Sequence, residues 1–351
     1  MLVKEFDYTL PPELIAQSPL AARDSSRLML IDKERGLVGE TLFSDIVSWL
    51  TPGDLLVVND SRVLPAKLLG YKVPSGGAVE FLLLQEHALG QWSCLVRPGR
   101  RVVADTVVSC GNGALLARVI KRLERGERLV EFTWDNRRTF IELLSELGEM
   151  PLPHYIHEPL QDQERYQTVY SNQLGSVAAP TAGLHFTTNL METIMQKGIE
   201  VAKLTLHVGL GTFRPVQVTE VTMHTMHSER YTLSEEAAKQ INDAKRAGRR
   251  VIAVGTTSCR VLESVALEDG EVQAQSGETA LFISPGYRFK TIDALITNFH
   301  LPMSTLLMLV ASFIGQDEIL SLYAYAVQQK YRFFSFGDAM FIADHVTKAI
   351  K

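Results

Sequence analysis

Apolar residues along this chain occur in two patterns, short continuous runs and stripes with helical spacing. The runs that predict strands are residues 54–60, 199–206, 249–255 and 293–300, and the first is of the kind found in a strand buried on both faces. The stripes that predict helices are residues 187–198, 235–247, 256–267 and 303–314. Strands that alternate with helices in this way are typical of a sheet with helices packed on its faces.

Polar residues in front of the stripes predict where helices begin. Asn189, with Glu192 three residues later, has the form of a capping box for the helix that Gly198 ends. Thr139 and Ser304 are the expected N-cap residues of two further helices.

Residues 65–150 have a different pattern. Short alternating or apolar runs are separated there by glycine-rich turns such as PSGG, RPGR, CGNG and ERGE. Strands at this spacing favour a small antiparallel barrel or sandwich. The sequence therefore predicts an α/β (α+β) main domain, residues 1–64 and 151–351, with an inserted small antiparallel β-barrel domain at residues 65–150.

The composition is that of an ordinary soluble globular protein. The 351 residues are 46% apolar and 21% charged, with a formal net charge of −5. The N-terminus has no apolar stretch of the signal-peptide type, and the longest apolar run is about half of the ~20 residues that cross a bilayer. Three scattered cysteines form no CxxC pair. We expect a cytoplasmic protein with no membrane partner.

Two glycine-rich segments lie at the ends of predicted strands, where a side chain is free to meet a ligand. VAAPTAGLHF at 177–186 and LHVGLGTFRPV at 206–216 place His185 and His207 on either side of a predicted helix. Ligands of open α/β sheets bind at the carboxyl ends of the strands. Two adjacent loops this rich in glycine favour close approach of a ligand over two plain turns.

The other buried runs also end in polar side chains. These are Asp60 and Arg62 in NDSR, Thr256, Thr257 and Ser258 in VGTTSCR, and Asn298 and His300 in NFHLPMST. A helix that begins at VGTTSCR would present hydroxyl and N–H groups suited to an anion or a ribose. A plain helix cap explains the same residues equally well, and an Arg260–Glu263 pair on the helix surface needs no ligand.

Generic enzyme signatures are absent or incomplete. GLGTFR at 209–214 begins like a dinucleotide fingerprint, but Arg214 replaces the third glycine and Pro215 makes an immediate helix unfavourable. The chain contains neither GxxxxGK[ST] nor GxSxG. These absences exclude a P-loop enzyme and argue against the usual α/β-hydrolase.

Titratable residues suggest acid–base chemistry more than metal binding. His224 and His227 precede Glu229, but no accompanying acidic or cysteine ligand set completes a zinc pattern, so we expect no metal site. A histidine changes charge near neutral pH and suits proton transfer. Asp338 lies among aromatics in FFSFGDAMF, where a carboxylate either caps a turn or serves a functional site.

Basic residues cluster in four places. The clusters are Arg97, Arg100 and Arg101; Lys121, Arg122 and Arg125; Arg137 and Arg138; and Lys245, Arg246, Arg249 and Arg250. Three of them lie in the predicted barrel domain, and small barrels often bind nucleic acids.

Several segments are more specific than any generic signature when taken together. They are VAAPTAGLHF, LHVGLGTFRPV, MHSERY, VGTTS, ITNFHLP with STLLMLV, and YRFFSFGDAMF, with LPPELIAQSP, NDSRV and MPLPHYI elsewhere. Nearly end to end, the chain resembles the S-adenosylmethionine:tRNA ribosyltransferase-isomerase family of queuosine biosynthesis. Other members more often have Val at the position of Cys259, which argues against a required thiol.

The resemblance implies an unusual use of S-adenosylmethionine. Its ribosyl moiety, and not its methyl group, is transferred to 7-aminomethyl-7-deazaguanine at the wobble position of a tRNA and isomerised, giving epoxyqueuosine-tRNA. Adenine and methionine are released. S-adenosylmethionine is thus a consumed substrate, and we expect no true cofactor. The expected partners are S-adenosylmethionine and the tRNA that bears the deazaguanine precursor, and the chain is expected to be a monomer.

The resemblance and the residue types suggest roles for the candidate residues. We expect His185, His207 and Glu229 to transfer protons, with Asp338 as a second carboxylate. The expected substrate-binding residues are Asp60, Arg62, Thr181, Arg214, His227, Thr256, Thr257, Ser258, Asn298 and His300. Of these, Arg214 and His300 would face the tRNA or the modified base.

Two other classes of function fit part of the same pattern. A hydrolase that cleaves nucleosides or S-adenosylmethionine would share the adenine-release chemistry without RNA. A tRNA-binding module without catalysis would have little use for so many polar loops at strand ends.

Overall fold

The computed structural model describes residues 1–123, 126–135, 137–209 and 216–348. The chain divides into two compact units. The main unit comprises Met1–Arg62, His154–Gln173 and the chain from Ala179 onward, and the barrel unit comprises Val63–Pro153 with Leu174–Ala178.

The described residues form eighteen strands and six α-helices. The strands are β1 Arg27–Asp32, β2 Gly36–Leu42, β3 Leu55–Asn59, β4 Ser61–Val63, β5 Lys67–Val73, β6 Ala78–Ala88, β7 Gln91–Arg97, β8 Val107–Cys110, β9 Leu115–Arg122, β10 Arg128–Trp134, β11 Gly148–Glu149, β12 Gln173–Ser176, β13 Glu200–Leu206, β14 Glu229–Leu233, β15 Val251–Val254, β16 Gln275–Thr279, β17 Ala294–Asn298 and β18 Ala339–Ala343. The helices are α1 Phe140–Leu147, α2 Thr188–Gln196, α3 Glu235–Arg246, α4 Gly255–Val265, α5 Thr305–Ile314 and α6 Gln316–Gln328.

The main unit is built on a nine-stranded mixed sheet. Its strand order is β16-β14-β13-β3-β15-β17-β18-β1-β2. The central strands β13, β3, β15 and β17 are parallel. Every residue of β3, β15 and β17 is buried, as the continuous apolar runs predict for strands covered on both faces.

Parallel strands place their carboxyl ends at one edge of the sheet, which we call the carboxyl edge. Strand β18 runs antiparallel to β17 with Ala339 opposite Asn298, so the residues that precede β18 also lie at this edge. Strand β1 is parallel to β18 and brings the residues before Arg27 to the same place. The carboxyl edge therefore collects side chains from distant parts of the sequence.

The barrel unit contains a closed antiparallel barrel of six strands. The strands follow one another as β5-β6-β7-β10-β9-β8, and β8 pairs back with β5. Gly70 of β5 permits this closure, because a Cβ there would lie 2.6 Å from Cys110 Sγ. Helix α1 begins as predicted, with the Thr139 hydroxyl accepting a hydrogen bond from Glu142 N. The predicted fold class, α/β with a small antiparallel barrel, is confirmed.

Of the two N-caps predicted for main-unit helices, one is confirmed and one is wrong. Ser304 caps α5 as expected and accepts a hydrogen bond from Leu307 N. The Asn189 capping box is wrong, because Thr187 is the N-cap of α2 and accepts from Leu190 N. Thr187 has the extended backbone of an N-cap residue, and the helix begins at Thr188. Asn189 therefore lies inside the first turn.

Among the described residues, no single helix is long and apolar enough to cross a membrane; α5 and α6 meet that test only when joined, and they are bent by 114°.

Candidate active site

A cleft of about 670 Å³ opens at the carboxyl edge of the main unit. It brings together five residues expected from the sequence to bind substrate, namely Thr181, Thr256, Thr257, Asn298 and His300. It also contains residues that sequence reasoning missed, namely Tyr155, Phe299, Ser304, Phe334 and Ser335. The cleft is thus a polar and aromatic pocket at the place where open α/β sheets bind ligands.

Asn298, the last residue of β17, uses both of its amide hydrogens within the protein. Its Nδ2 donates to the Phe334 carbonyl at 3.0 Å and lies 3.1 Å from His185 Nε2. The opposite amide orientation would set Oδ1 against the Phe334 carbonyl, two acceptors facing each other. Asn298 Oδ1 is buried and has no hydrogen-bond partner among the described residues.

His185 lies behind Asn298 and does not line the cleft. Its ring stacks on Phe43 with centroids 4.8 Å apart, and its Nδ1 is 2.7 Å from Ser26 Oγ. Because Asn298 donates to Nε2, the proton of the neutral ring resides on Nδ1 and is donated to Ser26. Burial, with the charges of Arg332 and Arg23, lowers the pKa of His185 to about 3. The imidazole is therefore neutral and holds the Asn298 amide in place.

The glycine of VAAPTAGLHF serves packing within the protein. Residues Thr181–His185 form a short 3-10 helix. A Cβ at Gly183 would lie 2.1 Å from the Tyr170 hydroxyl oxygen. Gly183 itself therefore serves internal packing, while Thr181 at the start of the helix lines the cleft.

Phe334 forms an aromatic wall of the cleft from an unfavourable backbone conformation. Its φ is 71°, in the left-handed region that residues with a Cβ seldom adopt. The Asn298 amide holds its carbonyl, and its ring lies 4.9 Å from that of Tyr155. The Tyr155 hydroxyl is 2.6 Å from Ser335 Oγ, which fixes the second ring. Strained residues of this kind cluster at functional sites.

The N-terminus of helix α4 faces the same cleft. Gly255 has φ +88°, and no side chain caps the helix. Thr256 and Thr257 are buried and line the cleft, and Asn59 Nδ2 reaches Thr257 Oγ1 at 3.4 Å. The Ser258 hydroxyl instead donates to Val254 O within the helix, and Ser258 does not line the cleft. Uncapped N–H groups at a helix start suit an anion or a sugar hydroxyl.

His300 is neutral as well. Its Nε2 is 2.9 Å from Thr297 Oγ1, and burial lowers its pKa to about 3. The backbone N–H of His300 donates to the Tyr323 hydroxyl at 2.9 Å. The ring is thus a fixed, uncharged part of the cleft wall.

Glu229, at the start of β14, belongs to a buried charged cluster. It pairs with Arg260 of α4, and its Oε1 accepts a hydrogen bond from Gly209 N at 2.9 Å. His227 Nε2 lies 3.2 Å from the same oxygen. Burial acts to raise the pKa of Glu229, but the contact with His227 and the charge of Arg260 outweigh it and lower the pKa. The carboxylate is therefore ionised.

The surface pair between Arg260 and Glu263 does not form. Arg260 is buried against Glu229. Glu263 accepts backbone hydrogen bonds from Lys290, Thr291 and Ile292. Helical spacing places the two residues one turn apart on α4, but each side chain instead contacts a different, buried partner.

His207 follows β13 and lies one residue before Val208, which lines the cleft. Burial and the charge of Arg230 lower the pKa of His207, although Asp60 opposes them. Its Nδ1 is buried and has no hydrogen-bond partner in the described part of the chain. Asp60 is itself held by the Thr205 hydroxyl at 2.6 Å. His207 is thus a neutral imidazole with an available nitrogen.

Three other predicted residues lie elsewhere. Both oxygens of Asp338 accept backbone hydrogen bonds, from Arg27 N and Arg332 N at 2.8 Å each, and Asp338 does not line the cleft. Burial raises the pKa of Asp338 despite those bonds. Arg62 is also remote from the lining and pairs with Glu164. Arg214 lies outside the described residues.

In the ranges that the structure describes, no group of three or more His, Cys, Asp or Glu side chains is arranged to hold a metal ion.

Comparisons with known proteins show the family to which the chain belongs. The model of the family described as queuosine biosynthesis protein matches residues 3–342. The chain belongs to the queuosine biosynthesis protein family. The resemblance found in the sequence is thereby confirmed.

Two relatives are similar to this chain over nearly its whole length. The chain is 54% identical over 342 residues to an S-adenosylmethionine:tRNA ribosyltransferase-isomerase from Clostridioides difficile (strain 630), covering 97% of this chain and all of that protein. It is 39% identical to an S-adenosylmethionine tRNA ribosyltransferase from Thermotoga maritima whose crystal structure is known. That match covers 96% of this chain and 99% of the other, with a TM-score of 0.56.

The buried histidines of this queuosine biosynthesis protein predict sensitivity to acid. The pKa values of His185 and His300 in the folded protein lie below the usual ~6.5, so the unfolded chain binds more protons. Their contribution to the free energy of unfolding is fully present above pH ~6.5 and is lost as pH falls toward 3. Each histidine should make the free energy of unfolding fall more steeply with decreasing pH, by at most about 1.4 kcal/mol per pH unit.

Urea unfolding between pH 6.5 and 4.5 measures this effect. His185→Gln should make the fall in unfolding free energy shallower by one proton, His300→Gln should do the same, and the double variant should add the two. Slopes equal to that of the wild type would contradict the assignment of neutral, buried imidazoles.

Proposed function

We propose that this chain is an S-adenosylmethionine:tRNA ribosyltransferase-isomerase. It transfers and isomerises the ribosyl moiety of S-adenosylmethionine onto 7-aminomethyl-7-deazaguanine at the tRNA wobble position, with release of adenine and methionine. The observation that carries the proposal is the 54% identity to a relative of that name over that relative's whole length. The cleft supports it, because it lies at the carboxyl edge of the sheet, where open α/β sheets bind their ligands.

In this proposal S-adenosylmethionine lies in the cleft as a consumed substrate, with no resident cofactor. The uncapped start of α4, with Thr256 and Thr257, receives ribose hydroxyls or the methionine carboxylate. The rings of Phe334 and Tyr155 offer flat apolar surfaces to a base. Thr181 and His300 complete the walls.

His207 is the proposed proton acceptor. The sulfonium of S-adenosylmethionine acidifies the adjacent ribose carbon, and a base must remove a proton there. His207 is suited to this because its lowered pKa keeps the imidazole neutral and its Nδ1 has no partner in the described ranges. Alignment of the tRNA amine with the ribosyl group can supply up to ~7–11 kcal/mol of the barrier reduction.

Glu229 is proposed to act through its charge. The carboxylate is ionised and bonded by Arg260 and Gly209 N, so it is a weak proton acceptor. An anion in a region shielded from water stabilises positive charge such as that of the sulfonium. Its Oε1 also lies 3.2 Å from His227 Nε2.

The remaining candidates take supporting roles. His185 positions Asn298, Asp338 holds the turn before β18, and Ser258 is committed within α4. Asp60 restrains the region of His207 through Thr205. Arg62 and Arg214 stay proposed contacts for substrate or tRNA.

The barrel unit supplies exposed cations suited to RNA phosphates. Arg97, Arg100 and Arg101 are exposed, and the described residues form no ion pair with them, whereas Arg137 and Arg138 are paired with acids. Arginine side chains of this kind bind phosphates without reading sequence. We propose that the enzyme acts on tRNA as a cytoplasmic monomer.

Release of adenine from S-adenosylmethionine tests the proposed function. We expect release only when tRNA carrying the 7-aminomethyl-7-deazaguanine base is present. Release without tRNA would instead indicate a hydrolase, and no release under either condition would indicate a tRNA-binding module. Unmodified tRNA of the same sequence is the control.

The same assay tests His207. His207→Asn keeps a polar side chain but cannot accept a proton, so the variant should bind S-adenosylmethionine with nearly unchanged Kd and lose at least about a hundredfold in kcat. His157→Asn, which removes an exposed imidazole, should retain wild-type turnover. Near-normal kcat in His207→Asn would rule out the proposed role.

A further inference from the structure

The orphaned carbonyl oxygen of Asn298 has no structural explanation within the described chain. Asn298 is 2% exposed, and Oδ1 lacks a hydrogen-bond partner in the described ranges. A buried acceptor without a donor costs free energy, and native proteins seldom leave one unsatisfied without a functional reason. Because Asn298 lines the cleft, a ligand in the cleft is the natural source of the donor.

The neighbours of Asn298 restrict what that donor can be. Both hydrogens of Nδ2 are committed, to Phe334 O and to His185 Nε2, and the carbonyl of Phe334 prevents the amide from turning over. His185 Nε2 faces Asn298 Nδ2 and accepts from it, so His185 is not the donor to Oδ1. Asn298 therefore presents an acceptor alone. The ligand must bring an N–H or O–H group and no acceptor at that point.

The surroundings favour the edge of a base over a charged or sugar group. Asn298 holds the Phe334 carbonyl, so its amide is adjacent to the residue whose ring lies 4.9 Å from Tyr155. A base that stacks on such rings presents its edge to the neighbouring amide. The uncapped helix start at Gly255, which suits anions and hydroxyls, follows the neighbouring strand β15 and lines the same cleft.

We propose that Asn298 Oδ1 accepts a hydrogen bond from the exocyclic 6-amino group of the adenine of S-adenosylmethionine and thereby selects adenine. This inference rests on the proposed function. Asparagine commonly recognises adenine through the 6-amino group together with N7. Here Nδ2 is occupied, so only the bond to the amino group forms. A free small substrate can reach so buried an atom more readily than a base attached to tRNA. His185 is the positioning residue that keeps Oδ1 turned to the base.

The test compares S-adenosylmethionine with the analogue that has hydrogen in place of the 6-amino group. In the wild type, the analogue leaves Oδ1 unsatisfied, and its Kd measured by calorimetry should be roughly tenfold to a hundredfold higher. Asn298→Ala should bind the two compounds within about threefold of each other. The kcat/KM value for S-adenosylmethionine divided by that for the analogue should fall in Asn298→Ala by the same factor as the discrimination in Kd. The two compounds also differ in leaving-group chemistry, but that difference is the same for both proteins and cancels in the comparison.

Asn242→Ala is the matched control. Asn242 lies on α3, where its amide donates to Val272 O and accepts from Val272 N. This variant should therefore retain the wild-type discrimination. If Asn298→Ala does not fold, the wild-type Kd ratio decides alone, and equal Kd values overturn the proposal. A raised KM for tRNA in Asn298→Ala with unchanged discrimination between the two compounds also overturns it. Loss of tRNA-dependent adenine release in the wild type, by contrast, refutes the proposed function and not this contact.

Discussion

The amide of Asn298 ties together the elements that shape the cleft. It ends the central strand β17, holds the carbonyl of the left-handed residue Phe334 and fixes His185 of the 3-10 helix. Both amide hydrogens are used in these contacts, and the histidine can accept one of them because its ring is neutral. One side chain thus converts three separate chain segments into a single rigid wall. Only the acceptor of that side chain is left without a partner among the described residues, and the proposed adenine contact would satisfy it.

A second buried constraint joins β14 to α4. Glu229 and Arg260 form an ion pair in which both side chains are nearly inaccessible to water. Removing one partner of such a pair typically costs about 3–5 kcal/mol, since the other charge remains buried. A protein whose only requirement was stability could fill the same space with apolar residues. In the proposed function, the pair next to Gly209 and His227 supplies a fixed negative charge for a cationic substrate.

Much of the fold was accessible from the sequence, and much of the site was not. Continuous apolar runs predicted β3, β13, β15 and β17, and therefore the edge where their polar ends meet. Tyr155 and Ser335 were missed because a proline-rich connector and an aromatic turn carry no periodic signal, and only the tertiary fold brings them to the cleft. Arg260 was assigned to Glu263 by helical spacing, but burial selected Glu229, 31 residues away.

A crystal structure of the protein with S-adenosylmethionine or a non-reactive analogue bound is the most direct test of the central claim. The account predicts that the nucleoside occupies the cleft at the carboxyl edge, with the adenine 6-amino nitrogen about 2.7–3.2 Å from Asn298 Oδ1. The methionine or ribose end should lie at the start of α4. A ligand bound outside this cleft, or an adenine whose amino group faces away from Asn298, would contradict the account.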